Sequence, residues 1–334
     1  MPGHVAVKLP ARKNRSIGYD INQSHLFRIG SPDRLSIVLG VGLETLLDLS
    51  RRSDNYKIFQ KEGNDPFSRT HRRSRDIQEP KETLKKIHRR VAKLLKFVRV
   101  PGYLHSAVKG VSYRTNAIEH ATRGVSILTM DIEEFYSSTD ASRVFNFFCD
   151  VLQCAPDVSK LISKLLTWRG VLATGSPASP LLSFHCNRPM FDEMAAIATR
   201  KGHKFTCYVD DITFSGACVR RGLATEISRI AYRHGHRIKE RKTRFYCAGQ
   251  AGIVTGVVVD DGSVSVPHER RLKGRRIEVA IDSTIDPIER LALTEKLMGL
   301  AGEAAYLDNA FRPWVDSIRG RLKILRRSRA SGRS

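Results

Sequence analysis

Two adjacent carboxylates, Asp210 and Asp211, follow Tyr208-Val209 inside a mostly apolar run from Phe205 to Ser215. The run reads as a hairpin with both acids near its turn. A third acid, Asp131, ends Val125-Ser-Ile-Leu-Thr-Met-Asp131, which reads as a largely buried strand. Hard carboxylate oxygens are what magnesium-like cations take. Phosphoryl transfer to a growing strand uses two such cations about 4 Å apart, one activating the attacking hydroxyl and one holding the triphosphate. Three aspartates brought to one place could supply that site. An Asp-Asp pair is also a common turn. Asp260-Asp261, followed by Gly262 and lacking a matching upstream acid, is read as a turn.

The elements that must position these acids alternate irregularly between strand and helix, which predicts an α+β domain. Ser31-Pro32-Asp33 looks like a helix start, and Leu35, Val38, Leu43, Leu46 and Leu47 extend one helix over 32–49. Leu84, Ile87, Val91, Leu94, Leu95 and Val98 define a second amphipathic helix, with Pro101 beyond it. Helical patterns follow near 141–168, 187–200 and 222–234, the last closed by Gly235. Ile253–Val259 and Val264–Val266 flank Asp260-Asp261-Gly262 as a second hairpin, with Thr255-Gly256 a candidate bulge. Ile288 and Leu291, then Phe311, Trp314, Ile318, Leu322 and Leu325, have helical spacing ahead of a basic tail.

Composition narrows the partner. The 57 Lys and Arg against 34 Asp and Glu give a formal charge of +23 in 334 residues, which points to a polyanion, with nucleic acid first. No apolar run approaches the roughly 20 residues of a membrane span, and no signal-peptide core opens the chain. The six cysteines form no Cys-x-x-Cys pair, so they predict neither a zinc knuckle nor a redox motif but reduced, mostly core thiols of a cytoplasmic protein.

Tyr208-Val209-Asp210-Asp211 resembles the catalytic box of reverse transcriptases, and Met130-Asp131-Ile132-Glu133-Glu134-Phe135-Tyr136 resembles that family's first metal-binding segment. The resemblance implies a right-hand polymerase with fingers, palm and a helical thumb. It implies that Asp131, Asp210 and Asp211, with the backbone carbonyl of Ile132, bind two Mg2+ ions, for which Mn2+ can substitute. Tyr136 falls at the family's steric gate against a ribonucleotide's 2′-hydroxyl, while Phe135 reads as a core aromatic. Gly175-Ser176-Pro177 resembles the segment beside the nucleotide pocket, with Thr174 where glutamine is common. Arg75 matches the arginine that clamps the triphosphate, a role suited to its planar fork, and Lys242 the lysine near the departing pyrophosphate.

Two further motifs resemble those of bacterial retron reverse transcriptases: Asn116-Ala117-Ile118-Glu119-His120 and Val254-Thr255-Gly256. The resemblance covers about residues 30–280. With composition marking the N-terminal arm, and position and composition alone assigning the final helices to a thumb, the chain divides into a basic arm at 1–30, fingers and palm at 31–250, and a palm-thumb connection, helical thumb and basic tail at 251–334. The resemblance also implies a cognate structured noncoding RNA, dNTPs and a DNA product branched from an internal 2′-hydroxyl. A separate effector protein and a role in antiphage defence belong to the same expectation. On α-helical spacing, Arg319, Lys323 and Arg326 line the exposed side of the last helix as RNA contacts. Two rival readings remain open, a different bacterial reverse transcriptase of the intron or diversity-generating type, and a structured-RNA-binding protein without catalysis.

Overall fold

The computed structural model describes residues 18–61, 63, 65–68 and 74–331, with side chains to 328. The first 17 residues of the expected basic arm, Arg69, Arg72 and Arg73 beside Arg75, and 332–334 of the tail lie outside the described residues. The class is α+β, with every paired strand antiparallel.

Ser31 caps α1 (Pro32–Leu39), its Oγ accepting the Arg34 N–H at 3.2 Å, and α2 (Leu43–Arg51) follows. The expected single helix over 32–49 is therefore two. Gly40 takes φ 68°, a left-handed cap that ends α1, although the apolar spacing continues through the break. Strands β1 (Tyr56–Lys61) and β2 (Arg75–Pro80) form an exposed ribbon that leads into α3 (Glu82–Leu95). As the spacing predicts, α3 buries Leu84, Ile87, Val91, Leu94 and Leu95.

Next come α4 (Tyr113–Glu119), β3 (Ser126–Asp131) and α5 (Ala141–Asn146), which passes into a π-helical turn at Phe147–Val151. Pro156 then starts α6 (Pro156–Leu166). The helical pattern near 141–168 is thus broken where proline cannot continue a helix. A small hairpin, β4 (Thr167–Trp168) and β5 (Val171–Leu172), precedes α7 (Ser179–Cys186) and α8 (Arg188–Arg200). Then follow β6 (Lys204–Tyr208), β7 (Asp211–Gly216), α9 (Gly222–Arg233) and β8 (Arg244–Tyr246). The central sheet has the order β6-β7-β3-β8.

A second sheet contains β9 (Gly252–Val254), β10 (Val257–Asp260) and β11 (Ser263–Ser265). Where one strand was expected over 253–259 there are two. Val254 pairs with Val257, so Thr255-Gly256 is a two-residue turn rather than a bulge, with φ of 46° and 75°. Among the described residues the last helices are α10 (His268–Ser283), α11 (Pro287–Leu307) and α12 (Arg312–Ser331). Gly274 lets α10 approach α12, since a Cβ there would lie 2.8 Å from the Trp314 ring.

Three apolar clusters hold these layers. The largest runs from Leu26 to Ala231 beneath the central sheet. A second joins Ala117 of α4 and Ile127 of β3 to Val254, Val257 and Leu307, and a third packs Ile277, Leu297, Ala301, Ile318 and Leu322 among the last helices. Burying each such side chain stabilises by about 1.5–3 kcal/mol. No helix among the described residues is long and apolar enough to cross a membrane. All six cysteines are free thiols, but only Cys154 and Cys207 are buried, and Cys218 and Cys247 are exposed, so the expected core placement holds for a minority.

Candidate active site

The central sheet has two chemically different faces. Asp131, Thr129 and Ile127 on β3 oppose Asp211, Thr213 and Ser215 on β7, which oppose Tyr208, Thr206 and Lys204 on β6. With a side-chain period of two, these residues share one face. Met130, Leu128, Ile212, Phe214, Cys207 and Phe205 fill the other, buried in the main cluster. A one-residue slip would send Asp131 or Asp211 into that apolar core.

Asp210 lies in the turn itself. Tyr208 pairs with Asp211, leaving Val209-Asp210 as the loop, and Val209 takes φ 60°. A β-branched residue in that region costs about 1–3 kcal/mol and persists only where its surroundings hold it there. Here the Val209 N–H donates to Ser106 Oγ at 3.0 Å, and the Asp210 carbonyl accepts the Ile132 N–H at 2.9 Å. The Asp131 carbonyl accepts the Lys239 N–H at 2.8 Å, which brings the following 3₁₀ turn, Glu240–Lys242, up to the acids. Lys242 Nζ donates to Asp131 Oδ2 at 2.6 Å.

The three acids repel one another. Burial and then the Asp131 charge push the Asp210 carboxyl upward, against the pull of Lys242 and Arg75. Burial, then Asp210 and Asp131, push Asp211 up to about 7. Among the described residues no three His, Cys, Asp or Glu side chains already surround a common point as metal ligands. Asp131 is turned to Lys242 instead. The donor chemistry nevertheless fits a hard divalent cation, which would offset the burial and mutual repulsion that raise the Asp210 and Asp211 carboxyls.

Tyr136 is half-buried beside this group. Burial, then the charge of Asp210, raises its phenol well above the usual range. Phe135 is a core residue, edge-on to Phe191 at 5.8 Å. Arg75 opens β2, is exposed, and its charge reaches Asp210. Gly175 lies directly on that strand. Its N–H donates to the Gln78 carbonyl at 3.1 Å, and a Cβ would sit 2.7 Å from that oxygen. Thr174 Oγ1 donates to Gln78 Oε1 at 3.0 Å, so a glutamine does adjoin Thr174, delivered by β2.

Other expected site residues are buried. Ser176 Oγ is engaged by His88 Nδ1 at 2.6 Å, and His88 Nε2 donates to the Leu165 carbonyl at 2.9 Å. The ring therefore accepts the Ser176 proton, and that hydroxyl does not face a nucleotide. Asn116, His120 and Val254 are at most 1% exposed, so their side chains offer RNA no contact surface. Asn116 Nδ2 instead donates to Thr255 Oγ1 at 3.4 Å, which brings the two motifs together at Gly256. On α12, Arg319 and Arg326 are exposed but paired with Asp316 at 2.6 Å and Glu295 at 2.8 Å; Lys323 is exposed. Such surface pairs are worth about 0–1 kcal/mol, little enough for a phosphate to replace.

Sequence reasoning missed His88, Ser106, Thr206 and Ser215. His88 had one signal, a polar residue within the apolar stripe of α3.

No protein-family model matches the chain. Among curated proteins, it is 30% identical to the Retron Se72 reverse transcriptase of Salmonella heidelberg over 193 residues, 56% of this chain and 48% of that one. It is 31% identical to the Retron Mx65 reverse transcriptase of Myxococcus xanthus over 211 residues, 55% and 48% of the two chains. It is 26% identical to the Retron Ec86 reverse transcriptase of Escherichia coli over 234 residues, 69% and 71%. The chain thus spans about half the length of the first two. A telomerase structure from Candida albicans aligns at a TM-score of 0.40 and 9% identity over 80% of this chain and 58% of that one, too distant to bear on the argument. Across more than half its length, the chain is similar to retron reverse transcriptases.

Proposed function

We propose that the chain is an RNA-directed DNA polymerase of the retron type, built as a right hand, that copies its cognate noncoding RNA from dNTPs into a branched RNA–DNA hybrid. The observation carrying this is the pairing of Asp131 with Asp211 beside Asp210, in a turn tied to Ile132. Asp131, Asp210 and Asp211, with the Ile132 carbonyl, would hold two Mg2+ ions, replaceable by Mn2+. Those ions would supply activation of the attacking hydroxyl and charge neutralisation at the triphosphate.

The remaining work falls to the chain's own groups. Arg75 clamps triphosphate oxygens, and the Gly175 loop fixes the strand that carries it. Lys242 supplies charge or a proton to the leaving pyrophosphate. Tyr136, close to Asp210, excludes a 2′-hydroxyl by its bulk. Arg319, Lys323 and Arg326 on α12 read RNA stems by their phosphates. Priming uses an internal 2′-hydroxyl of that RNA. The biological reading is a cytoplasmic antiphage system with a separate effector protein.

The test is extension of a primed RNA by the purified protein with Mg2+, together with sequencing of the nucleic acid that copurifies. DNA synthesis and a branched hybrid are the expected results. Synthesis without a branch would assign another type of bacterial reverse transcriptase. Failure to incorporate dNTPs with either Mg2+ or Mn2+ would leave a non-catalytic RNA-binding protein.

A further inference from the structure

The polar face of the central sheet is unusual away from its acids. Below Asp211 and Tyr208 it carries Thr206, Thr213 and Ser215, where the opposite face carries Phe205, Cys207, Ile212 and Phe214. Thr206 and Ser215 are 2% and 4% exposed, too deep for water to satisfy their hydroxyls. One side chain meets both. His120, at the C-terminal cap of α4 and 0% exposed, places Nε2 2.7 Å from Thr206 Oγ1 and Nδ1 2.7 Å from Ser215 Oγ.

A neutral imidazole has one donor and one acceptor. One hydroxyl therefore accepts from the ring and the other donates to it, so the two strands are joined through one side chain. Burial, with Lys204 and His105 nearby, lowers the His120 pKa to about 3, which keeps the ring neutral.

The bonds select a pairing. Thr206 opposes Thr213, and Ser215 opposes Lys204, so the ring bridges a diagonal pair on one face. A one-residue slip of β7 would offer His120 Phe214 or Gly216 in place of Ser215 and would turn Asp211 to the opposite face. The helix carrying the ring is held independently. Ser112 and Thr115 close a capping box at its start, and Asn116 bonds Thr255.

We propose that His120 is the register lock of the aspartate hairpin, a positioning residue that fixes Asp210 and Asp211 from the buried end of the same two strands. It contacts neither RNA nor substrate. The proposal rests on the polymerase reading for its effect on turnover, but not for its effect on the hairpin.

The experiment uses the full chain with its RNA and the variants His120→Phe, His120→Gln, Thr206→Val, Ser215→Ala and the triple Phe/Val/Ala. Amide exchange over 204–216 should accelerate about tenfold or more in His120→Phe and about threefold in each hydroxyl variant. Turnover should fall in parallel, with dNTP KM and RNA Kd within about twofold of wild type, and His120→Gln should recover part of both losses. The triple variant should be no worse than His120→Phe, because the three groups act as one unit. Wild-type exchange in His120→Phe would overturn the proposal. So would additive losses, or weaker RNA binding with normal turnover of the bound complex. Should His120→Phe not fold, the two hydroxyl variants carry the same comparison. Exchange is read without catalysis, so an inactive wild-type protein would refute the polymerase reading and still test the lock.

Discussion

Two hairpins in this chain carry adjacent aspartates, and they differ in nearly everything else. Asp260-Asp261 precedes Gly262 in a turn whose last two residues take φ of 33° and 94°, the left-handed pair that a short hairpin prefers. Its acids are exposed, and the Asp261 carbonyl accepts from Arg123 at 3.2 Å. Asp210-Asp211 sits in a turn whose left-handed residue is Val209, half-buried, with a third acid alongside and a lysine on that acid. The first turn is made by its own residues, whereas the second is imposed by Ser106 and Ile132. Val209 keeps a backbone conformation that its residue type disfavours because Ser106 and Ile132 hold the turn from outside.

The sharpest way to break this contrast is to neutralise one acid in each hairpin. Asp210→Asn should reduce primer extension about a thousandfold or more while RNA affinity stays within about twofold, and Asp260→Asn should leave both near wild type. Equal effects would erase the distinction. A second measurement probes the neighbourhood that only the buried hairpin has. Tyr136→Ala should lower the preference for deoxynucleotides over ribonucleotides by about 10- to 100-fold in a variant that remains active. An unchanged ratio in competition assays would remove Tyr136 from the gate.

Acid should separate the hairpins as well. Burial pushes His88 and His236 down to about 4 and His120 and His185 to about 3. Between about pH 6.5 and those values the unfolded chain binds protons that the folded chain refuses. The histidines' contribution is therefore flat above about 6.5 and falls on acidification, by about 1.4 kcal/mol per pH unit for each. Asp211 acts in the opposite sense, favouring the folded state as pH drops from about 7 towards 4, and offsets roughly one of the four. Denaturant midpoints at pH 7.5 and 5, without divalent cations, measure the net loss. Relative to intrinsic exchange rates, amide protection at pH 5 should fall around Thr206 and Ser215 and not around Asp260.

The smallest effects come from exchanging the turn chemistries. Gly262→Val forces a branched residue to φ 94° and should cost about 1–3 kcal/mol of stability with turnover unchanged. Val209→Gly removes strain but frees the turn, so stability should move by less than about 1 kcal/mol while turnover drops severalfold. Thermal melts and single-turnover extension read the two outcomes.

The hairpins and the acids were legible because alternation, turn residues and adjacent carboxylates are local signals. Helix continuity was not. The leucines at 43, 46 and 47 keep the helical spacing of Leu35 and Val38, so only Gly40 and Gly42 marked the break. Thr255-Gly256 looked like a bulge because Val257 resumes the apolar run at once. What could not be read were pairings across the chain. Ser176 looked like a pocket residue until His88, 88 positions earlier, was seen to take its hydroxyl. His120 and Asn116 carried a recognisable motif, yet only burial shows that their bonds go to Ser215, Thr206 and Thr255.

The contact of Gly175 on β2 has a consequence for how this protein can diverge. An isolated two-stranded ribbon is marginal in water, and β1 leaves nearly all its side chains outside, Ile58 and Phe59 among them. What aims Arg75 is a bond between two main chains, Gly175 to Gln78, with Thr174 beside it. Main-chain bonds are indifferent to what the ribbon's outer side chains are. Those positions are free to drift between lineages while the arginine keeps its direction, and the burden of constancy falls on one glycine that any side chain would push off the strand.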